Sequence, residues 1–167
     1  GPDGAAPAAA PGTLIADHST IPPATARRLE ARCRERGLRF LDAPVSGGEK
    51  GAKEGVLTVM AGGAAADFEA ARPFFEAYAR SFTHIGPPGM GQTAKCCNQT
   101  VGIVNLLGIC EAIALAERLG ADPLKVREAI RGGVAGSWGV ENHWPRIVAG
   151  DDRPGFFVSY QLKDVRI

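Results

Sequence analysis

The sequence predicts an α/β architecture: the later half of an open sheet with helices on its faces, followed by the start of an all-α domain built on a long central helix. Two observations carry this. Short apolar runs alternate with amphipathic segments as far as residue 86. After Gly86-Pro87-Pro88-Gly89 only helical signals follow, beginning with an apolar run at 101–110 that continues through 112–116. The turn at 86–91 is the expected boundary, dividing a domain at 1–86 from one at 87–167.

Taken in order, residues 13–17 form a short apolar run after a Pro-Gly turn. Ser19-Thr20-Ile21-Pro22-Pro23 then supplies hydroxyl caps and a first-turn proline for a helix over 24–36, which Gly37 ends. Residues 38–42 form the next strand, 46–55 a loop, and 56–61 a third strand bounded by Gly62-Gly63. Phe68, Ala71, Phe74, Phe75 and Tyr78 recur at helical spacing over 67–79, with Pro73 expected to restart that helix, and 81–85 is a short strand. The long apolar helix is read as buried and ends at Gly120. Asp122-Pro123 caps a helix running to Arg131, a further helix starts near Ser137 and carries Trp138 and Trp144, and the apolar tail at 156–167 contains Lys163-Asp164.

With 45% apolar and 22% charged residues and a formal net charge of +1, the chain is neither a polyelectrolyte nor disordered, and nucleic acid is not an expected partner. The four cysteines form no disulfide pattern, since Cys96 and Cys97 are adjacent and Cys33 and Cys110 lie in helical segments. A reducing, cytoplasmic compartment is expected. Asn98, Asn105 and Glu111 interrupt the apolar helix before the roughly 20 residues a bilayer requires, so no membrane partner is expected. The first twelve residues lack a basic and an apolar signal region. Gly1-Pro2 reads as a tag remnant, and the chain reads as a fragment entered in the middle and truncated at its far end.

Ser46-Gly47-Gly48 follows a strand end, where paired glycines let main-chain N–H groups face an anion; the same residues read equally as a plain turn. Lys95, Asn98 and Gly102 lie along one helix face, so an amine and an amide can address one small molecule, while a lysine near a helix end can also simply reach water. Gly89-x-Gly91-x-x-Ala94 matches a dinucleotide fingerprint but leads into a single long helix, and is read as a helix-entry turn. His18, His84 and His143 lack metal-ligand spacing and read as structural, Cys96 and Cys97 read as core or near-core thiols, and no metal is expected. Trp138 and Trp144 fit helix packing.

Five segments in this order resemble the β-hydroxyacid dehydrogenases, the family of 3-hydroxyisobutyrate dehydrogenase. They are Asp17-His18-Ser19-Thr20-Ile21-Pro22, residues 42–48, residues 55–63, Gly91-Gln92-Thr93-Ala94-Lys95 with Asn98-Gln99, and Lys163-Asp164. Gly120-Ala121-Asp122-Pro123, residues 130–137 and Pro154-Gly155-Phe156 are most similar to the tartronate semialdehyde reductase branch. The resemblance implies the C-terminal half of a Rossmann-like dinucleotide-binding domain, and an NAD- or NADP-dependent interconversion of a small 3-hydroxy acid and its semialdehyde. It implies Lys95 as the catalytic lysine, Ser46, Gly47, Gly48 and Asn98 as substrate-binding groups, and Thr20, Lys163 and Asp164 at the cofactor. It also implies a homo-oligomeric parent, and that this chain alone is inactive because the glycine-rich cofactor motif would precede residue 1. The alternatives are a 3-hydroxyisobutyrate dehydrogenase and a non-catalytic assembly relative.

Overall fold

The computed structural model describes residues 4–167; Gly1-Pro2, read above as a tag remnant, lie outside the described residues. A four-residue helix α1 (Ala5–Ala8) precedes strand β1 (Leu14–Asp17) and helix α2 (Pro23–Arg34), which starts on prolines and ends before Gly37 at φ +68°. Strands β2 (Arg39–Asp42) and β3 (Val45–Ser46) are separated only by Ala43-Pro44. Helix α3 (Gly48–Glu54), strand β4 (Leu57–Gly63), helix α4 (Ala65–Glu76) and strand β5 (Ala79–Gly86) follow.

These strands form one mixed sheet. β1 runs parallel to β2, and β4 parallel to β5. β2 and β3 are antiparallel to β4 in one continuous register, with Leu41 opposite Gly63 and Ser46 opposite Thr58; Met60 N–H donates to Pro44 O across the gap at 3.0 Å. They are therefore a single ribbon interrupted where proline cannot donate. Side chains alternate across it. Leu41 joins the Val59, Phe68 and Phe75 core beneath α4, while Phe40 packs with Cys33 and Leu38 beneath α2. Both faces are thus covered by helices.

Two expectations change in this half of the chain. The 46–55 loop is largely helix: Gly47 (φ +129°) and Gly48 (φ +61°) make the turn, α3 follows, and Gly55 (φ +65°) closes it in the left-handed conformation. Four glycines in ten residues look like a loop from composition, yet Gly47 and Gly55 are the punctuation of a helix. Pro73 does not restart α4, which runs unbroken through it. The ring sits on the exposed side of the helix, where the carbonyl left without an N–H partner reaches water.

Helix α5 (Met90–Arg118) is 29 residues long. Helix α6 (Pro123–Ile130) is capped by Asp122 Oδ1, which accepts from Leu124 N–H at 2.8 Å, as expected of Asp122-Pro123. The single helix expected after Ser137 is two short ones, α7 (Trp138–Asn142) and α8 (Trp144–Val148), because Pro145 opens a new first turn. Helix α9 (Val158–Val165) is last.

Backbone contacts divide the chain into two units: the segment up to Cys97 together with Gly155–Ile167, and Asn98–Pro154. In the second, Ile109 and Ile113 of α5 pack against Val140 and fully buried Trp144, whose indole N–H donates to Pro123 O at 3.1 Å. The expectation of a buried α5 is overturned. Val101 is 70% exposed, Val104 64% and Leu107 61%. Its most apolar 18-residue stretch has a mean hydropathy of 1.6 and is 17% buried, so by length and composition α5 is also long enough to cross a bilayer, contrary to the interruption argument. A helix apolar around its whole circumference needs cover on every side, and the residues packed on α5 here cover one.

Candidate active site

The site lies in the first unit and starts from the ribbon end. β2 finishes at Asp42, whose side chain is fully buried. Its Oδ1 accepts from Gly89 N–H at 2.7 Å and its Oδ2 from Gln92 N–H at 2.9 Å, which supplies partners for donors that a helix start leaves unpaired. Gly89 (φ +89°) makes the turn into α5, so the fingerprint-like glycines are a helix entry, as read from sequence. Gly91 is needed by contact: a Cβ there would stand 2.4 Å from Asp42 O and 2.5 Å from Met60 O.

One turn into the helix, Lys95 is 7% exposed, and its Nζ donates to Val45 O at 2.8 Å. The amine thus rests on the residue preceding Ser46-Gly47-Gly48. Burial lowers the Lys95 pKa below the ordinary lysine value; the Asp164 carboxylate opposes this and the Lys163 ammonium adds to it. Gly47 and Gly48 are exposed, and Ser46 is half-buried at the end of β3.

The remaining predicted residues divide into two groups. Thr20, Lys163 and Asp164 come together with Lys95. Lys163 Nζ donates to Thr20 O at 2.6 Å and pairs with Asp164 Oδ1 at 2.9 Å, and the Asp164 side chain is 3% exposed. Thr20 follows β1 at the carboxyl end of a parallel pair, where open α/β sheets bind ligands, and Lys163 keeps an ammonium half-exposed beside it. The half-exposed Lys163 ammonium at this strand end is the basic group here that fits an anionic dinucleotide. Asn98 lies three residues beyond Lys95 on α5 but belongs to the second unit, where its Nδ2 donates to Gln99 Oε1 at 2.9 Å.

Two residues that hold the site carried no assigned role in the sequence reading. Asp42 is one. Gln92, fully buried, is the other: its Nε2 donates to Ser19 O at 2.7 Å and its Oε1 accepts from Ile21 N–H at 3.2 Å, so it fixes the main chain on both sides of Thr20. The available signal was a polar residue on the inner face, three positions before Lys95. His18 is structural, with Nδ1–H donating to Ala43 O at 2.6 Å and Nε2 accepting from the Tyr78 hydroxyl at 2.8 Å. Among the described residues no three His, Cys, Asp or Glu side chains cluster as metal ligands do.

Two family models match. One describes the NAD-binding domain of 6-phosphogluconate dehydrogenase, over residues 1–86, and the other the NAD-binding region of NADP-dependent 3-hydroxyisobutyrate dehydrogenase, over residues 89–167. The chain is 44% identical over 163 residues to an NAD-dependent L-serine dehydrogenase of Pseudomonas aeruginosa, covering 93% of this chain and 55% of that protein. It is 40% identical over 167 residues to the 2-hydroxy-3-oxopropionate reductase of Escherichia coli, covering 100% and 57% respectively. A solved structure of Mycobacterium tuberculosis 3-hydroxyisobutyrate dehydrogenase with L-serine superposes with a TM-score of 0.86 at 38% identity, covering 96% of this chain and 58% of that one. The chain spans little more than half the length of these relatives.

Proposed function

The chain belongs to the β-hydroxyacid dehydrogenase family, and from that membership we propose that the whole protein is an NAD(P)-dependent oxidoreductase that interconverts a small 3-hydroxy acid and its semialdehyde. One observation carries the reading: a buried amine on α5, bonded to the carbonyl that leads into Ser46-Gly47-Gly48. Tartronate semialdehyde (2-hydroxy-3-oxopropanoate), reduced to glycerate, is the substrate we assign. Its support is the set of motifs shared with the tartronate semialdehyde reductase branch and the 40% identity to 2-hydroxy-3-oxopropionate reductase across the full chain.

In this reading the main-chain N–H groups at Ser46, Gly47 and Gly48 hold the substrate carboxylate and so fix the reacting carbon relative to Lys95. Thr20, Lys163 and Asp164 serve the cofactor side. Hydride exchange with the substrate carbon is the chemistry the NAD or NADP cofactor supplies when bound. In reduction the Lys95 ammonium gives its proton to the carbonyl oxygen, which becomes the hydroxyl; in oxidation the neutral amine takes that proton back. A homo-oligomer is part of the proposal, supported by the apolar side chains that α5 leaves uncovered.

The test is a Lys95→Ala change in the whole protein. Loss of turnover with folding retained is expected, and unchanged turnover removes the proton donor. Rates measured side by side on tartronate semialdehyde and methylmalonate semialdehyde test the substrate, with the first expected to be faster.

A further inference from the structure

The two-point grip on α5 has one source. Asp42 takes the N–H groups of Gly89 and Gln92, and three residues along the same ribbon Val45 O takes the Lys95 amine. Between the two grips Gly91 brings the helix backbone onto Asp42 O and Met60 O. The first turn of the helix, and the side chain one turn further on, are therefore referenced to one rigid strip of sheet. Asp42 reaches across 47 residues of sequence to do this, where most helices use a cap of their own.

We propose that Asp42 is the positioning residue of this site: by fixing the first turn of α5 to the end of β2 it places the Lys95 amine on the Val45 carbonyl, and it does so without touching the reacting atoms. This rests on, and deepens, the reading of Lys95 as the proton-transfer group.

The charges acting on the amine are those of Asp164 and Lys163 on α9, and burial acts with Lys163. Replacing the Asp42 side chain by an amide has two possible outcomes for Lys95, and the labelling tells them apart. With the amine unmoved, its charged neighbours Asp164 and Lys163 stay in place, and the titration midpoint of Lys95 is unchanged or slightly lower. Loss of position lets water reach the amine and raises the midpoint towards the ordinary lysine range.

The experiment is pulse acetylation of this chain with acetic anhydride across a pH series. Lys95 labelling is read by mass spectrometry against exposed Lys125, in the unsubstituted chain and in Asp42→Asn. The substitution is nearly isosteric and turns an NH2 group towards one of the two helix donors. A midpoint higher by about one pH unit, with faster plateau labelling, is the expected result. An unchanged or lowered midpoint in a folded Asp42→Asn chain overturns the proposal. If that variant does not fold, hydrogen exchange on the unsubstituted chain decides: the Gly89 and Gln92 amides are expected to exchange at least about a hundredfold more slowly than unstructured ones, and unprotected amides overturn it. The labelling reads where the amine is whether or not Lys95 does chemistry. Intact turnover in Lys95→Ala would therefore sink the functional reading and leave this result standing.

Discussion

Lys163 and Thr20, 143 residues apart in the chain, are joined by a 2.6 Å hydrogen bond from the ammonium to the main-chain carbonyl. The bond ties α9 to the loop after β1, at the carboxyl end of the parallel strand pair. Lys163 acts a second time through its charge, which helps to lower the Lys95 pKa.

Replacing Lys163 by Met is expected to raise the cofactor KM about tenfold in the whole protein, the equivalent of one charge-assisted hydrogen bond of about 1.5 kcal/mol. The same change removes a positive neighbour of Lys95, so the pH profile of turnover is expected to move to higher pH. A KM change with no displacement of the profile would separate the cofactor role from the electrostatic one.

The depressed Lys95 pKa makes a signed prediction about stability. In the folded chain the amine gives up its proton at lower pH than in the unfolded chain, where the value is near 10.5. Between those two values the unfolded state binds more protons, so stability rises with pH there; below the folded value the full cost of burying the charge is present. Lys95→Met escapes that cost. Urea titrations at a series of pH values are expected to show the stability of wild type gaining on that of Lys95→Met as pH rises through the window up to about 10.5, and to show no such trend in a difference taken with an exposed-lysine variant such as Lys125→Met.

Gln92→Leu keeps the volume of a fully buried side chain and deletes both of its polar atoms. Ser19 O and Ile21 N–H then lose their partners, and a loss of about 2 kcal/mol in unfolding free energy is expected by chemical denaturation. Cofactor affinity is expected to fall with it, since the two orphaned groups flank Thr20.

Gly91→Ala places a methyl group 2.4 Å from Asp42 O and 2.5 Å from Met60 O, all backbone atoms that cannot step aside singly. An expected cost of about 3 kcal/mol or more follows. Gly102→Ala on the same helix meets nothing within 4 Å and is expected to be neutral or mildly stabilising, so the pair separates crowding from helix propensity in one thermal melt.

Where a local pattern exists, the sequence was readable. The Gly89 helix entry, the Asp122 cap, the prolines opening α2 and the alternation of strands and helices all follow from neighbours within four residues. The placing of Lys95 beside the Ser46-Gly47-Gly48 turn followed from recognising a set of motifs, since no single spacing requires it. What stayed hidden was set at long range. Asp42 stands in an apolar run, and its two donors lie 47 and 50 residues away, a distance over which no periodicity operates. The α3 helix was masked because glycine marks both a loop and the two ends of a short helix. For α5, the count of apolar residues shows how much surface wants cover, and it carries no information about which part of the chain provides it.

The first unit is discontinuous: Asn98–Pro154 is threaded between its main body and the closing segment Gly155–Ile167. During vectorial synthesis the sheet and the root of α5 are made first, and the ribosome must make the entire intervening unit before Lys163 can bond to Thr20 O. Val45 O, the partner of the Lys95 amine, thus precedes it in synthesis, whereas Lys163 and Asp164, the charged groups that act on the amine, are supplied only after the whole intervening unit has been made.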